Sequence, residues 1–340
     1  MMMYHVYFDS GTSNTRAYLL KGEDIIDIEK KNIGSKDSSI AGSNIGLIKG
    51  LKELYDKLLD NNQLEDGQIS NIYASGMVTC PFGIKEVPHL STPVSLEKLY
   101  TGIYTHYESQ FFKRDLYLIR GVKTISDDFK VDKYNISTVN NMRGEEIEIF
   151  GMISKLPDEW KNGNTAVFLP GSHTHIVHMK QGVLYDILST FSGELYHAIS
   201  TSTILSNSIQ CDIGRLDEGM VIQGYRSLRE YGLNRALYIG HAMKIFNASD
   251  NLERKSYLEG VITGGVILGF EKTIENKWNG LERVLIAGSN NITRIYELLL
   301  KEMQNQYEVM TFMASGKQSY AVNGFIELLK IGGQPCQKQF

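Results

Sequence analysis

The chain has 340 residues, 35 Lys+Arg against 39 Asp+Glu, a formal charge of −4, and 42% apolar and 22% charged residues. At about 150 residues per domain, the length implies roughly two domains. The composition excludes a disordered chain, and it lacks the basic excess of a nucleic-acid binder held by phosphate neutralisation. Cys80, Cys211 and Cys336 are widely spaced and odd in number, which excludes a disulfide framework or zinc ribbon and predicts a reducing compartment. The start, Met1-Met2-Met3-Tyr4-His5, has no signal-peptide pattern, and no apolar run approaches the ~18–20 residues of a membrane span. The expectation is a cytoplasmic protein whose partner is a small molecule rather than nucleic acid or membrane, with a homodimer as the candidate assembly.

In chain order, Tyr4 to Phe8 is an aromatic and β-branched strand ending at Asp9, followed by the turn Ser10-Gly11-Thr12-Ser13-Asn14. Arg16 to Leu20 returns, Lys21-Gly22-Glu23-Asp24 turns, and Ile25 to Ile28 is a third strand. Apolar residues at helical spacing from Ile45 to Leu59 predict a helix with Ser43 as N-cap. Ile69 to Ala74 is then a strand entering Ser75-Gly76. The same order recurs: Thr165 to Leu169, the turn Pro170-Gly171-Ser172-His173, the strand His175 to Met179, a turn at Gln181-Gly182, and Val183 to Leu188. Sliding by 160 places Phe8 on Phe168, Gly11 on Gly171, Thr12 on Ser172 and Gly22 on Gly182. A glycine and a hydroxyl at the same bend twice point to internal duplication. Near the end, Arg283 to Ala287 is a strand, Gly288-Ser289-Asn290-Asn291 a turn, and Ile292 to Met303 a helix, an arrangement suited to a ligand at a helix N-terminus. The turn Ala314-Ser315-Gly316 leads to a last helix, Tyr320 to Ile331.

Asp9-x-Gly11-Thr12-Ser13 has a physical logic of its own. A carboxylate at a strand end can hold Mg²⁺ through water, a glycine lets backbone approach a phosphate, and hydroxyls with backbone N–H groups cradle its oxygens. Arg16 adds charge near a transferred phosphoryl group. The plain alternative is a hairpin in which Asp9 and Thr12 only satisfy the turn.

In order and spacing, Asp9-Ser10-Gly11-Thr12-Ser13-Asn14, Met142-Arg143-Gly144-Glu145-Glu146, Leu169-Pro170-Gly171-Ser172-His173 and Ser192-Gly193-Glu194-Leu195 resemble the 2-dehydro-3-deoxygalactonokinase family of the sugar kinase/actin/Hsp70 superfamily. Ala74-Ser75-Gly76-Met77, with Pro88 following, and Ala287-Gly288-Ser289 are similar too, the latter to the superfamily's adenosine motif. Two stretches depart from the family's usual residues. Ser10 stands where Trp is usual, and His173-Thr174-His175-Ile176 replaces a Lys-Trp pair after the histidine.

The resemblance implies two duplicated actin-like (ribonuclease H-like) α/β domains with mixed five-stranded sheets and an interdomain cleft. The expected boundaries are 1–145 for the sugar-acid side and 146–332 for the nucleotide side, the last helix being free to pack back on the first domain. It implies ATP and Mg²⁺ as cofactors and phosphorylation of the 6-hydroxyl of 2-keto-3-deoxygalactonate. Gly11, Thr12, Ser13, Asn14, Gly171, Ser172 and His173 would line the phosphates, Gly288, Ser289 and Asn290 would lie near the adenosine, and Asp9 would hold Mg²⁺ through water. Glu145 is the expected general base and Glu146 the less favoured choice, since phosphoryl transfer needs a carboxylate to accept the hydroxyl proton. Both glutamates could instead cap a helix N-terminus. Arg143, Met77, Lys85 and His89 are the candidate substrate residues, Arg143 because its fork grips a carboxylate or else forms a structural ion pair. A kinase for another keto-deoxy or aldonic acid, or an actin-like nucleotide binder without kinase activity, are the alternatives.

Three other motifs are set aside. His173-x-His175-x2-His178 cannot converge on a metal, because His178 faces opposite to the others on a strand. Gly316-Lys317-Gln318-Ser319 lacks the hydroxyl after lysine that a P-loop requires. Thr263-Gly264-Gly265 lies in a helical apolar run, where glycine serves close packing.

Overall fold

Short strands joined by glycine turns begin each half, and helices cover them. The computed structural model of the chain describes residues 4–210, 214–288, 290–303, 307–313 and 319–333. Cys211, Cys336, Ser289 and the Ala314–Gly316 turn lie outside the described residues.

The first hairpins are β1 (Tyr4–Ser10), β2 (Thr15–Lys21) and β3 (Asp24–Lys31). Helices α1 (Ser35–Ala41) and α2 (Ile45–Asn62) follow. Helix α2 buries Leu47, Ile48, Leu51, Leu54, Tyr55, Leu58 and Leu59, the stripe its spacing predicts, while Ile45 stays exposed. Its N-cap is Asn44 rather than Ser43. The Asn44 amide donates not to its own helix but to the carbonyls of Gly83 and Ile84 (3.0 and 3.3 Å), which ties α2 to the loop after β4 (Ile69–Gly76). Next come β5 (Leu90–Ser91), α3 (Leu96–Thr101), β6 (Tyr104–Glu108), β7 (Arg114–Leu118), β8 (Val122–Lys123), β9 (Asn141–Met142), α4 (Glu145–Ile153) and α5 (Asp158–Lys161).

The second half repeats the plan with β10 (Asn164–Leu169), β11 (Thr174–Lys180) and β12 (Val183–Thr190). Four helices follow, α6 (Gly193–Ser202), α7 (Glu218–Tyr231), α8 (Leu233–Ile245) and α9 (Asn251–Asn276). The chain then runs through β13 (Arg283–Ala287), α10 (Asn290–Glu302), β14 (Glu308–Phe312) and α11 (Tyr320–Gly333).

The larger sheets have the orders β3-β2-β1-β4-β7-β6 and β12-β11-β10-β13-β14. In each, a three-stranded antiparallel meander is extended by two parallel strands: β4 beside β1 and then β7, β13 beside β10 and then β14. This is the duplicated actin-like α/β fold. The first sheet carries a sixth strand, the antiparallel edge β6, so only the second has the expected five. A small sheet, β5-β8-β9, completes the first half.

Two compact units result. The first takes residues 1–161, 182–185 and 315–340, the second 162–181 and 186–314. Helix α4 thus belongs to the first unit, so the boundary falls later than the expected 145/146. The reason is packing: Gly151 of α4 and Gly324 of α11 lie against each other's helix backbones, with a Cβ at either overlapping the carbonyl of Tyr320 or Ile147. Phe325 of α11 stacks on Tyr7 of β1 at 4.3 Å, which anchors the last helix in the first unit. Each unit has its own apolar core, one around Val6, Phe8, Leu51 and Leu116, the other around Phe168, Val221, Phe270 and Leu299.

Candidate functional site

Asp9 lies near the C-terminal end of β1 and faces Arg16 across the hairpin, their charged groups 3.7 Å apart. The neck of the bend is closed by buried Ser10 and Thr15. Their hydroxyls are 2.8 Å apart, and Thr15 donates onward to the Ile33 carbonyl. Beyond the neck, Gly11, Thr12, Ser13 and Asn14 are exposed, the turn held by Gly11 N–H to the Asn14 carbonyl at 2.9 Å.

The second bend is built the same way. Thr174 and Ser192 hydroxyls meet at 2.7 Å, and Gly171, Ser172 and His173 are exposed beyond them. Each bend also rests on a glycine after its third strand. The Lys36 N–H donates to the Thr12 carbonyl, and a Cβ on Gly34 would overlap the Gly11–Thr12 backbone. Correspondingly, the Glu194 N–H donates to the Ser172 carbonyl, and a Cβ on Gly193 would overlap the Gly171 carbonyl. Side-chain-free backbone contact at both places fixes the bends while leaving their outer N–H groups and hydroxyls open to a ligand.

A stack of glycines brings Glu145 to Asp9. Gly76 (φ 81°) ends β4 against the Ser10 carbonyl, where any Cβ would overlap it, and Gly144 (φ 113°) sits against the Gly76 Cα. Helix α4 therefore starts beside the end of β1. Glu145 Oε2 accepts the Arg143 N–H at 3.0 Å, whereas Glu146 is fully buried and turns back to accept the Gly144 N–H at 2.8 Å. Burial, with the charge of Glu145, pushes the Glu146 carboxyl up to about 8. Glu148 shares a helix face with Glu145, three residues on. Burial, then Asp9 and Glu145, lift it to about 8 also, while burial and Glu145 raise Asp9 against the opposing pull of Arg16. Sequence reasoning missed Glu148, although its i,i+3 spacing from Glu145 was the available signal.

This concentration of like charge suits a hard divalent cation. Among the described residues no three His, Cys, Asp or Glu form a direct metal cage. The histidines of β11 are committed elsewhere: His175 Nδ1 meets Ser189 Oγ at 2.9 Å, and His178 Nε2 meets Asn164 Oδ1 at 2.6 Å and stacks on Trp278.

Arg143 does not present an open fork. Its Nη1 donates to the Thr79 carbonyl and hydroxyl, its Nη2 to the Val87 carbonyl and His89 Nδ1 (3.1 and 3.3 Å). These bonds brace the loop that carries Met77, which is half-buried, and Lys85, which is exposed. Arginine has no acceptor, so His89 Nδ1 accepts and its proton sits on Nε2. Burial and the Arg143 charge hold His89 down at about 4, hence neutral, and its buried Nε2 has no partner.

In the second unit a cavity of about 180 Å³ opens beside the second bend, between Gly171, Gly193, Glu259 of α9 and Tyr296 of α10. Gly288 (φ 150°) precedes α10, whose first residue is Asn290.

Known proteins resemble the chain in sequence and in fold. The family model for 2-keto-3-deoxy-galactonokinase matches residues 9–324. No curated protein matches by sequence. The crystal structure of a Sinorhizobium meliloti protein, provisionally described as a 2-dehydro-3-deoxygalactonokinase, superposes over 99% of both chains with a TM-score of 0.74 at 18% identity, a likeness of fold. Acetate kinases from Porphyromonas gingivalis (97% of this chain and 99% of that one, 8% identity, TM-score 0.48) and Entamoeba histolytica (96% and 100%, 9%, 0.48) are more distant.

Proposed function

Because the chain belongs to the 2-keto-3-deoxy-galactonokinase family, and is thus a sugar kinase, we propose that it phosphorylates the 6-hydroxyl of 2-keto-3-deoxygalactonate or a close sugar acid at the expense of ATP. The observation that carries the reading is the placement of Glu145 beside Asp9 and Arg16 at the end of β1. ATP would be the phosphoryl donor, and Mg²⁺ bound with it would neutralise charge on the transferring group.

The chain's own residues do the rest. Asp9 holds the cation through water. In the first unit, Thr12, Ser13 and Asn14 would offer hydroxyls and backbone N–H groups to phosphate oxygens, with Gly11 giving close approach. In the second unit, Ser172 and His173 would offer a hydroxyl, backbone N–H groups and an imidazole in the same way, with Gly171 giving close approach. Arg16 adds positive charge. Gly288 and the start of α10 would lie near the adenosine. Glu145, one oxygen anchored by the Arg143 N–H, takes the proton of the attacking hydroxyl on the other. His89 Nε2–H donates to the sugar acid, Met77 packs on it, and Lys85 meets its carboxylate. Arg143 acts as the brace for Glu145 and for this loop.

A coupled ADP-release assay over keto-deoxy sugar acids, aldonic acids and neutral sugars tests the substrate class. We expect turnover with a keto-deoxy acid, and activity on neutral polyols alone would discard the sugar-acid assignment. In Glu145→Gln, kcat should fall by about 10²–10⁴ with ATP affinity kept. Retained kcat would remove Glu145 as base.

A further inference from the structure

Glu259, a residue of the cavity wall in the second unit, has a buried carboxylate oxygen that the fold leaves unmet. Glu259 lines the cavity from α9, and its Oε1 is paired to Lys255, one turn back, at 3.2 Å. Its Oε2 is buried without a hydrogen-bond partner. Burial raises the Glu259 carboxyl against the opposing influence of Lys255. Three other polar groups of the cavity wall are differently placed. The Thr174 hydroxyl bonds those of Ser192 and Tyr296 at 2.7 and 3.1 Å, so these three satisfy one another. With Lys255 already balancing the charge, the group that suits Oε2 is a neutral donor, a hydroxyl or an amide N–H, rather than a second cation.

The position of this acceptor restricts the donor. Gly171, of the phosphate-binding bend, and Glu259 border one cavity, whose walls otherwise include the apolar Ile262 and Ile295. A nucleotide whose phosphates rest on Gly171 presents its ribose hydroxyls next along the molecule. The Lys255 pair holds the carboxylate from turning away, and Thr263, one turn on from Glu259, adds a second hydroxyl to that wall.

We propose that Glu259 accepts a hydrogen bond from the ribose hydroxyls of the nucleotide through Oε2, and so makes the enzyme selective for ribonucleotides over deoxyribonucleotides. The assignment rests on the kinase reading above and goes beyond it in naming the sugar of the donor as a recognised group.

The test compares kcat/KM for ATP, 2′-deoxy-ATP and 3′-deoxy-ATP with the full-length wild type, Glu259→Gln and Glu259→Ala. The wild type should prefer ATP over at least one deoxy analogue by about tenfold or more, because a site built to bond a hydroxyl rejects the analogue lacking it. In Glu259→Ala the preference should fall to within about twofold, with KM for the sugar acid unmoved. Equal use of all three nucleotides by the wild type, which needs no variant to fold, overturns the assignment and leaves the kinase reading intact. A preference that survives in Glu259→Ala overturns it too. Failure of the wild type to bind ATP in a thermal-shift titration overturns both.

Discussion

Glu145, Glu146 and Glu148 leave one helix within four residues of each other, yet their surroundings give them different work. Glu146 is fully buried and accepts the Gly144 N–H just before its own helix, Glu145 is half-buried and anchored by one oxygen, and Glu148 lies within electrostatic reach of Asp9. Glu148 is held up at about 8, so between the ordinary carboxylate range and pH 8 the folded chain keeps a proton that the unfolded chain has released. Its contribution is therefore fully present at low pH and is lost as pH rises through that window, by up to about 1.4 kcal/mol per pH unit for one proton. Without nucleotide or magnesium, Glu148→Gln should raise Tm at pH 8 and leave it nearly unchanged at pH 5, as thermal melts at the two pH values will show. Arg143 is legible as a functional cation in sequence, but its four terminal N–H groups are spent on Thr79, Val87 and His89. Arg143→Ala should cost about 2–4 kcal/mol in urea unfolding, since it leaves buried carbonyls without donors. A change in sugar-acid KM at unchanged stability would instead mark Arg143 as a direct substrate contact.

Between elements, glycine decides where backbones can touch. Helices α4 and α11 cross at Gly151 and Gly324, and α7 and α9 cross at Gly224 and Gly260. In both pairs a Cβ on either glycine would overlap a carbonyl of the opposing helix, those of Tyr257 and Val221 in the second. Gly264 lies against the Tyr225 ring, as the packing interpretation of Thr263-Gly264-Gly265 expects, while Gly265 faces open space. Gly324→Ala and Gly260→Ala should therefore destabilise by about 2 kcal/mol or more through overpacking. Gly265→Ala, exposed in the same helix as Gly260, should stabilise by about 0.5–1 kcal/mol through helix propensity. Chemical denaturation of the three variants checks the contrast, and a similar loss at all three positions would contradict the packing argument. Gly34 and Gly193 do for the two bends what these glycines do for the helices. Gly193 was visible in sequence as part of a motif, but Gly34 was not, because nothing local marks a glycine whose constraint is a backbone 22 residues away.

At the scale of the whole molecule, the chain closes its first unit with its last helix. Phe325 is fully buried against Tyr7 and Tyr73, so a side chain near the C-terminus completes a core begun at the N-terminus. Phe325→Ala should cost about 3–5 kcal/mol and lower the unfolding transition of the first unit in calorimetry. A shift confined to the second unit would refute that assignment. Legible along the chain are the meander-and-helix order of each half, the repeated hydroxyl–glycine bends at Gly11 and Gly171 and the strand at 283–287. Those features follow from turn chemistry and from periods of two and 3.6 residues, which act between near neighbours in the chain. Packing between distant segments is what joins α4 to α11, adds β6 as an edge to the first sheet, turns Arg143 into a brace, and puts Glu148 and the unmet oxygen of Glu259 where they lie. Helix docking depends on two surfaces fitting each other, and a carboxylate's charge and unmet bonds depend on groups brought near it from distant parts of the chain, so neither is written in any local stretch of residues.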